Sequence, residues 1–187
     1  MQEQPIPGFI VTLPNLITVM RLVLVPTIIW LITAGEPRAA FWLFAVAGIG
    51  DAVDGFLARQ FDLRSRLGAL LDPLADKVLL VSIYVVLAVM MEIPTWLAFM
   101  VVSRDILIIG AVVISWLVDR PLEMRPLIVS KVNTAGQVIL AGVVLADLAF
   151  AIHLGDLRRG LVILVAALTV ASAGAYLTNW VRYMNRF

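Results

Sequence analysis

"DAVDGFLARQFDLRSRLGALLDPLADK", from Asp51 to Lys77, interrupts two long apolar tracts with acids, bases and small residues. It places Asp51 and Asp54 at an i, i+3 spacing and Asp72 and Asp76 at i, i+4, so on helices each pair shares one face. The flanking tracts are apolar enough to lie within a bilayer. An ionised carboxylate there is costly unless it faces a polar cavity and has a partner.

The rest of the chain supports that setting. Of 187 residues, 62% are hydrophobic and only 14% are charged, unlike a soluble globular domain. The expected fold is all-α and integral to the membrane. At roughly 20 apolar residues per spanning helix, six transmembrane helices are expected, at 16–33, 39–59, 67–91, 94–118, 130–152 and 160–182. Turn or polar residues separate them: AGEPR (34–38), QFDLRSR (60–66), EIP (92–94), DRPLEMRP (119–126) and HLGDLRR (153–159). No internal repeat or linker divides them, so residues 1–187 read as a single membrane domain. Residues 1–15 form a cytoplasmic or interfacial segment, with a short interfacial helix expected to start in TLPNLIT (12–18) at Pro14.

Six spans put both termini on one side. That side carries Arg59, Arg64, Arg66, Arg120, Arg125, Lys131, Arg182 and Arg186, against Arg38, Arg158 and Arg159 on the other. The excess of cations makes it cytoplasmic, together with the Asp51–Asp76 region. The leading MQEQPIPGF has an acid and no arginine, unlike a mitochondrial presequence, and the first apolar stretch is too long for a removable signal peptide. A bacterial plasma (inner) membrane is the expected location. There is no cysteine and a single histidine, His153, so any metal must sit on oxygen. A net charge of +1 without a basic stripe points away from nucleic acid.

The second and third spans, joined by a short loop, are expected to bring the two acidic faces together around one cavity. Arg59 and Lys77 are too few to neutralise four carboxylates. Hard divalent cations, Mg2+ or Mn2+, supply the missing charge, and this ligand set suits two ions. Gly55, Ala58 and Gly68 bare the backbone close to the acids, and Arg59 adds a fork of donors suited to phosphate oxygens. One intramembrane aspartate is often a structural group, and small residues in spans often serve helix packing. It is the joint placement that describes a phosphoryl-transfer site.

The pattern Asp51-x2-Asp54-Gly55-x2-Ala58-Arg59-x8-Gly68-x3-Asp72-x3-Asp76 resembles the complete signature of the CDP-alcohol phosphatidyltransferases. The resemblance implies a six-helix membrane enzyme, a homodimer, that transfers the phosphoryl-bearing part of a CDP-linked substrate to a hydroxyl and releases CMP. It makes Asp51, Asp54, Asp72 and Asp76 metal ligands and Asp76 also the general base. It places the nucleotide at Asp51, Gly55, Ala58, Arg59 and Gly68.

The signature says little about the acceptor. TLPNLITVMRLVLVP near the start, VSRDILIIGAVV (102–113) and SKVNTAGQVILA (130–141) resemble the CMP-forming cardiolipin synthases within that family. This implies CDP-diacylglycerol as donor and phosphatidylglycerol as acceptor, with Arg104 and Lys131 expected to hold the acceptor's phosphate. Phosphatidylglycerophosphate synthases, the alternative, commonly carry a second lysine where this chain has Asn133. A small dianionic acceptor such as glycerol 3-phosphate favours two ammonium groups, whereas a singly charged phosphodiester asks for less. Asn133 tilts the expectation towards the lipid. A divalent-cation transporter is the reading from another class, but its polar groups should run across the membrane, and these acids cluster near one face.

Other residues have plainer expectations. Arg104 and Asp105 are adjacent and so should face different ways, each tied to a neighbouring helix or to substrate. Lys131 and Arg21 can snorkel to the interface. His153 is expected to be solvated and Asp147 to be interfacial or a packing group. Trp30, Trp42, Trp96, Trp116 and Trp180 suit an interfacial belt. GAVVIS and ASAGA supply small residues for helix contacts.

Overall fold

The computed structural model describes residues 13–60, 66–117 and 127–184. These form six helices: α1 (Leu13–Thr33), α2 (Pro37–Gln60), α3 (Arg66–Val89), α4 (Thr95–Leu117), α5 (Ile128–Phe150) and α6 (Gly155–Met184). No strand occurs among the described residues. Each helix coincides with an expected span to within a few residues, since the apolar runs and the turn-forming breaks were both explicit in the chain. The separate interfacial helix expected at Pro14 is replaced by one unbroken helix, α1. Pro14 lies in its first turn, where a missing N–H has no intrahelical partner to lose.

Among the described residues, Ile128–Phe150 and Gly155–Tyr183 are long and apolar enough to cross a membrane. Shorter apolar helices run Leu22–Thr33, Pro37–Gly50 and Lys77–Val89. Trp30, Trp42 and Trp96 are exposed near helix ends, as an interfacial belt requires. The half-buried Trp180 instead donates from Nε1 to Ser115 Oγ at 3.0 Å.

α1 packs against α2 and α3, α5 against α2, α3 and α6, and α4 against α3 and α6. The two acid-bearing helices, α2 and α3, are thus held by shared neighbours, α1 and α5. The core follows helical spacing: Val25, Ile28 and Ile32 on α1; Ala40, Phe44 and Ala47 on α2; Ile83 and Leu87 on α3; Leu97 and Val101 on α4; Leu140 and Val144 on α5. In lipid such contacts gain little from leaving water, so close van der Waals approach carries the association. A Cβ on Gly136 would meet Leu168 and Val165 at 3.5 Å, and one on Gly142 would meet Phe44 at 3.6 Å, so both glycines lie at close helix contacts.

The end opposite the acids is closed by short connections at 34–36, 90–94 and 151–154. Gly35 reverses the chain after α1 at φ +79, and the Glu36 N–H donates back to the Leu31 carbonyl at 2.9 Å. Met91 and Ala151 play the same part after α3 and α5 at φ 60 and φ 50, although neither is glycine. Arg158, on the first turn of α6, ties this end together. Its Nη1 donates to Asp147 Oδ2 of α5 at 3.0 Å. Its Nη2 donates to Glu92 Oε2 at 2.8 Å and to the Glu92 carbonyl. Asp147 Oδ1 also accepts from the Leu154 N–H at 3.0 Å. Asp147 is therefore a packing group, and His153 is exposed. Arg38 Nε of α2 reaches the Ala149 carbonyl at 3.0 Å, and the rings of Phe41, Trp42 and Phe150 stack edge to face beside it.

Candidate active site

The eight signature residues fall in the C-terminal turns of α2 and the N-terminal turns of α3. Asp51, Asp54, Gly55, Ala58 and Arg59 lie on the last turns of α2, and Gly68, Asp72 and Asp76 on the first turns of α3. Their side chains, and that of Arg21, lie outside the described residues. Among the described residues no group of three His, Cys, Asp or Glu is placed to hold a metal. The donor set on α2 and α3 is all carboxylate, and this chemistry fits a hard divalent ion such as Mg2+ or Mn2+.

The described part of this end begins one residue past Asp76. Lys77 of α3 holds Asp105 of α4, with Nζ 2.6 Å from Oδ1. The same oxygen accepts from Arg104 Nη1, also at 2.6 Å. Adjacent residues were expected to face apart; the long guanidinium instead turns back onto its neighbour. Arg104 also bridges to the last two helices. Its Nε and Nη2 donate to Ser172 Oγ of α6 at 3.2 and 2.6 Å, and Nη2 donates to Ser130 Oγ of α5. The Tyr176 ring centroid lies 5.7 Å from the guanidinium carbon. Arg104 is 3% exposed, so these contacts replace its hydration. Among the described residues two cations here share one carboxylate, leaving an excess positive charge beside the acid-bearing helices. Lys131, next in chain to Ser130, is exposed at the same end.

From Arg104 a polar seam runs inwards between α5 and α6. Ser130, Asn133 and Gln137 repeat at i, i+3, i+7 on α5, and Thr169, Ser172 and Tyr176 repeat at the same spacing on α6. Because the helices are antiparallel, Ser130 pairs in height with Ser172 through Arg104, and Asn133 pairs with Thr169, whose hydroxyl donates to Asn133 Oδ1 at 3.0 Å. One turn deeper α6 offers only Val165, whose methyl lies against Gly136. Gln137 has its backbone carbonyl bonded by Tyr84 OH of α3 at 3.1 Å. Asn133 Nδ2 and Gln137 Nε2 are buried with no hydrogen-bond partner among the described residues. Each such group costs about 1–3 kcal/mol.

Ser130, Thr169, Ser172 and Tyr176 were not singled out from the sequence. The signal was present: a polar residue every three or four positions along an otherwise apolar span marks a buried polar face.

Comparison with known proteins gives the family. A 35% identical relative over 191 aligned residues is a cardiolipin synthase (CMP-forming) / mitochondrial hydrolase fusion protein of Schizosaccharomyces pombe, covering 93% of this chain and 32% of the relative. The cardiolipin synthase (CMP-forming) of Homo sapiens is 38% identical over 72% of this chain and 50% of its own length. A chloroplastic CDP-diacylglycerol–glycerol-3-phosphate 3-phosphatidyltransferase of Oryza sativa subsp. japonica is 32% identical over 88% of this chain and 55% of its own. The chain thus spans between about a third and just over half of the length of these relatives. The family model for CDP-alcohol phosphatidyltransferases matches residues 11–175, and these include every signature position. The chain belongs to the CDP-alcohol phosphatidyltransferase family.

Proposed function

We propose that this chain transfers the phosphatidyl group of CDP-diacylglycerol to the terminal glycerol hydroxyl of phosphatidylglycerol, forming cardiolipin and releasing CMP. The hydroxyl oxygen attacks the diacylglycerol-linked phosphorus, the bond from that phosphorus to the bridging pyrophosphate oxygen breaks, and the hydroxyl proton passes to the Asp76 carboxylate. Asp51, Asp54, Asp72 and Asp76 would hold two divalent ions, Mg2+ or Mn2+, which when bound supply charge neutralisation for the pyrophosphate and the departing CMP. Asp51, Gly55, Ala58, Arg59 and Gly68 receive the cytidine nucleotide, with the small residues giving it room. Arg104 and Lys131 hold the acceptor's phosphodiester.

The observation that carries the acceptor half is the excess charge at Lys77, Arg104 and Asp105, where one carboxylate serves two cations. Among the described residues, an imbalance of that sign around the buried Arg104 favours an anion, and a single phosphodiester charge matches it. Relatives with cardiolipin synthase names in a yeast and in human support the same substrate pair. In this reading all six helices span a bacterial inner membrane, both termini and the site face the cytoplasm, and the enzyme works as a homodimer.

The test is to incubate the purified protein and Mn2+ with CDP-diacylglycerol and either phosphatidylglycerol or glycerol 3-phosphate, then identify the lipid by mass. Cardiolipin and stoichiometric CMP are expected from the first mixture. Robust product from glycerol 3-phosphate alone would assign the activity named for the rice relative instead.

A further inference from the structure

We propose that the carboxamides of Asn133 and Gln137 form the subsite that reads the acceptor's glycerol headgroup, donating N–H groups to its hydroxyl oxygens. The proposal rests on phosphatidylglycerol being the acceptor and adds where its uncharged part is recognised.

Height along the bundle is the first support. Lys77, Asp105, Arg104, Ser130 and Ser172 are joined by direct contacts and so lie at one level, and Asp76 is the neighbour of Lys77 in the chain. Asn133 is three residues further along α5, about 4.5 Å deeper at the helical rise per residue. A phosphodiester at Arg104 therefore has its glycerol within reach of both the Asp76 level and Asn133. Gln137 is a turn deeper still, but side chains on a helix lean towards its N-terminus, which for α5 is the Arg104 end. That lean favours an amide reaching back up the seam.

The second support is chemical. One end of the Asn133 carboxamide is held by Thr169; among the described residues the other has no partner, and Gln137 Nε2 has none either. Both side chains are essentially fully buried, at 0% and 1% exposure. Two neutral donors stacked one turn apart, lacking acceptors and next to a cationic pocket, are complementary to a polyol that follows a phosphodiester. They offer no charge for a second phosphate. The facing wall is Ser172, Thr169 and Val165, short buried side chains.

The subsite is tested with Asn133→Leu and Gln137→Leu, near-isosteric changes that remove the donors. CMP release by the full chain in mixed micelles is followed while phosphatidylglycerol and CDP-diacylglycerol are varied in turn, alongside the unfolding temperature. Where a leucine variant does not fold, Asn133→Ala or Gln137→Met replaces it. The expected result is a KM for phosphatidylglycerol raised on the order of 10-fold, a KM for CDP-diacylglycerol within about twofold, and no drop in unfolding temperature. An unchanged acceptor KM, or both KM values rising together, overturns the subsite and leaves the acceptor assignment standing. Wild-type protein that uses glycerol 3-phosphate alone overturns the acceptor assignment and the subsite with it.

Discussion

Two arginines each bind three parts of the bundle, and they do so with opposite accounts of charge. Arg158 meets two carboxylates, Glu92 and Asp147, and a backbone carbonyl. Arg104 meets two hydroxyls and one carboxylate that it shares with Lys77. Among the described residues the first network is anion-rich and anchored to turns, and the second is cation-rich and continues into a seam of unpartnered amides. Both hold helices together; among the described residues the second also has the buried amide donors of Asn133 and Gln137 without partners. The presence of a buried ion pair therefore says little about function until the charges around it are summed.

The largest expected effect removes the acids that, in the proposed function, hold the metal ions at the Arg104 end. Asp51→Asn or Asp72→Asn, or exhaustive chelation of the wild type, should lower CMP release on the order of 10³-fold or more, with the protein still folded in detergent. Undiminished turnover after chelation would leave the two ends functionally alike.

Arg104→Ala comes next. It strands Asp105 with Lys77 and leaves Ser130 and Ser172 without their donor, so stability should fall by about 3 kcal/mol and acceptor-dependent turnover by roughly 100-fold. Arg104→Lys keeps the charge and loses the fork, and should fall between that and wild type. Thermal unfolding followed by gel filtration, beside a CMP assay, separates the two losses.

At the other end Arg158→Ala should cost stability alone. About 2 kcal/mol is expected for a network that is half-buried rather than fully enclosed, while activity per folded molecule stays at the wild-type level. A selective loss of turnover in this variant would break the division between the two ends. The smallest effect is at Met91, held at φ 60 and 91% exposed. Met91→Gly should raise stability by up to about 1 kcal/mol, read as a higher unfolding temperature.

The helices were legible because each apolar run has nearly the length of a span and ends in Gly, Pro or charged residues; EIP and AGEPR are turns by composition alone. Membership of the family was legible because the acids and small residues sit at fixed local spacings within one short stretch. The two networks were not. Arg158 and Glu92 are 66 positions apart, and Arg104 and Ser172 are 68 apart, so nothing local couples them. Asp147 read as an interfacial or a packing group and is the latter, yet its partner was invisible for the same reason. Asn133 attracted notice for the charge it lacks, whereas its burial against Thr169 needed the packing of α5 on α6.

The three short reversals at the Arg158 end make it a fulcrum. Connections of three to five residues fix neighbouring helices there, while the far ends of the same rods lie on the order of 30 Å away at 1.5 Å per residue. A tilt of only about 5° about that pivot would swing the opposite tips by roughly 2–3 Å over such a length, enough to part a hydroxyl from an amide.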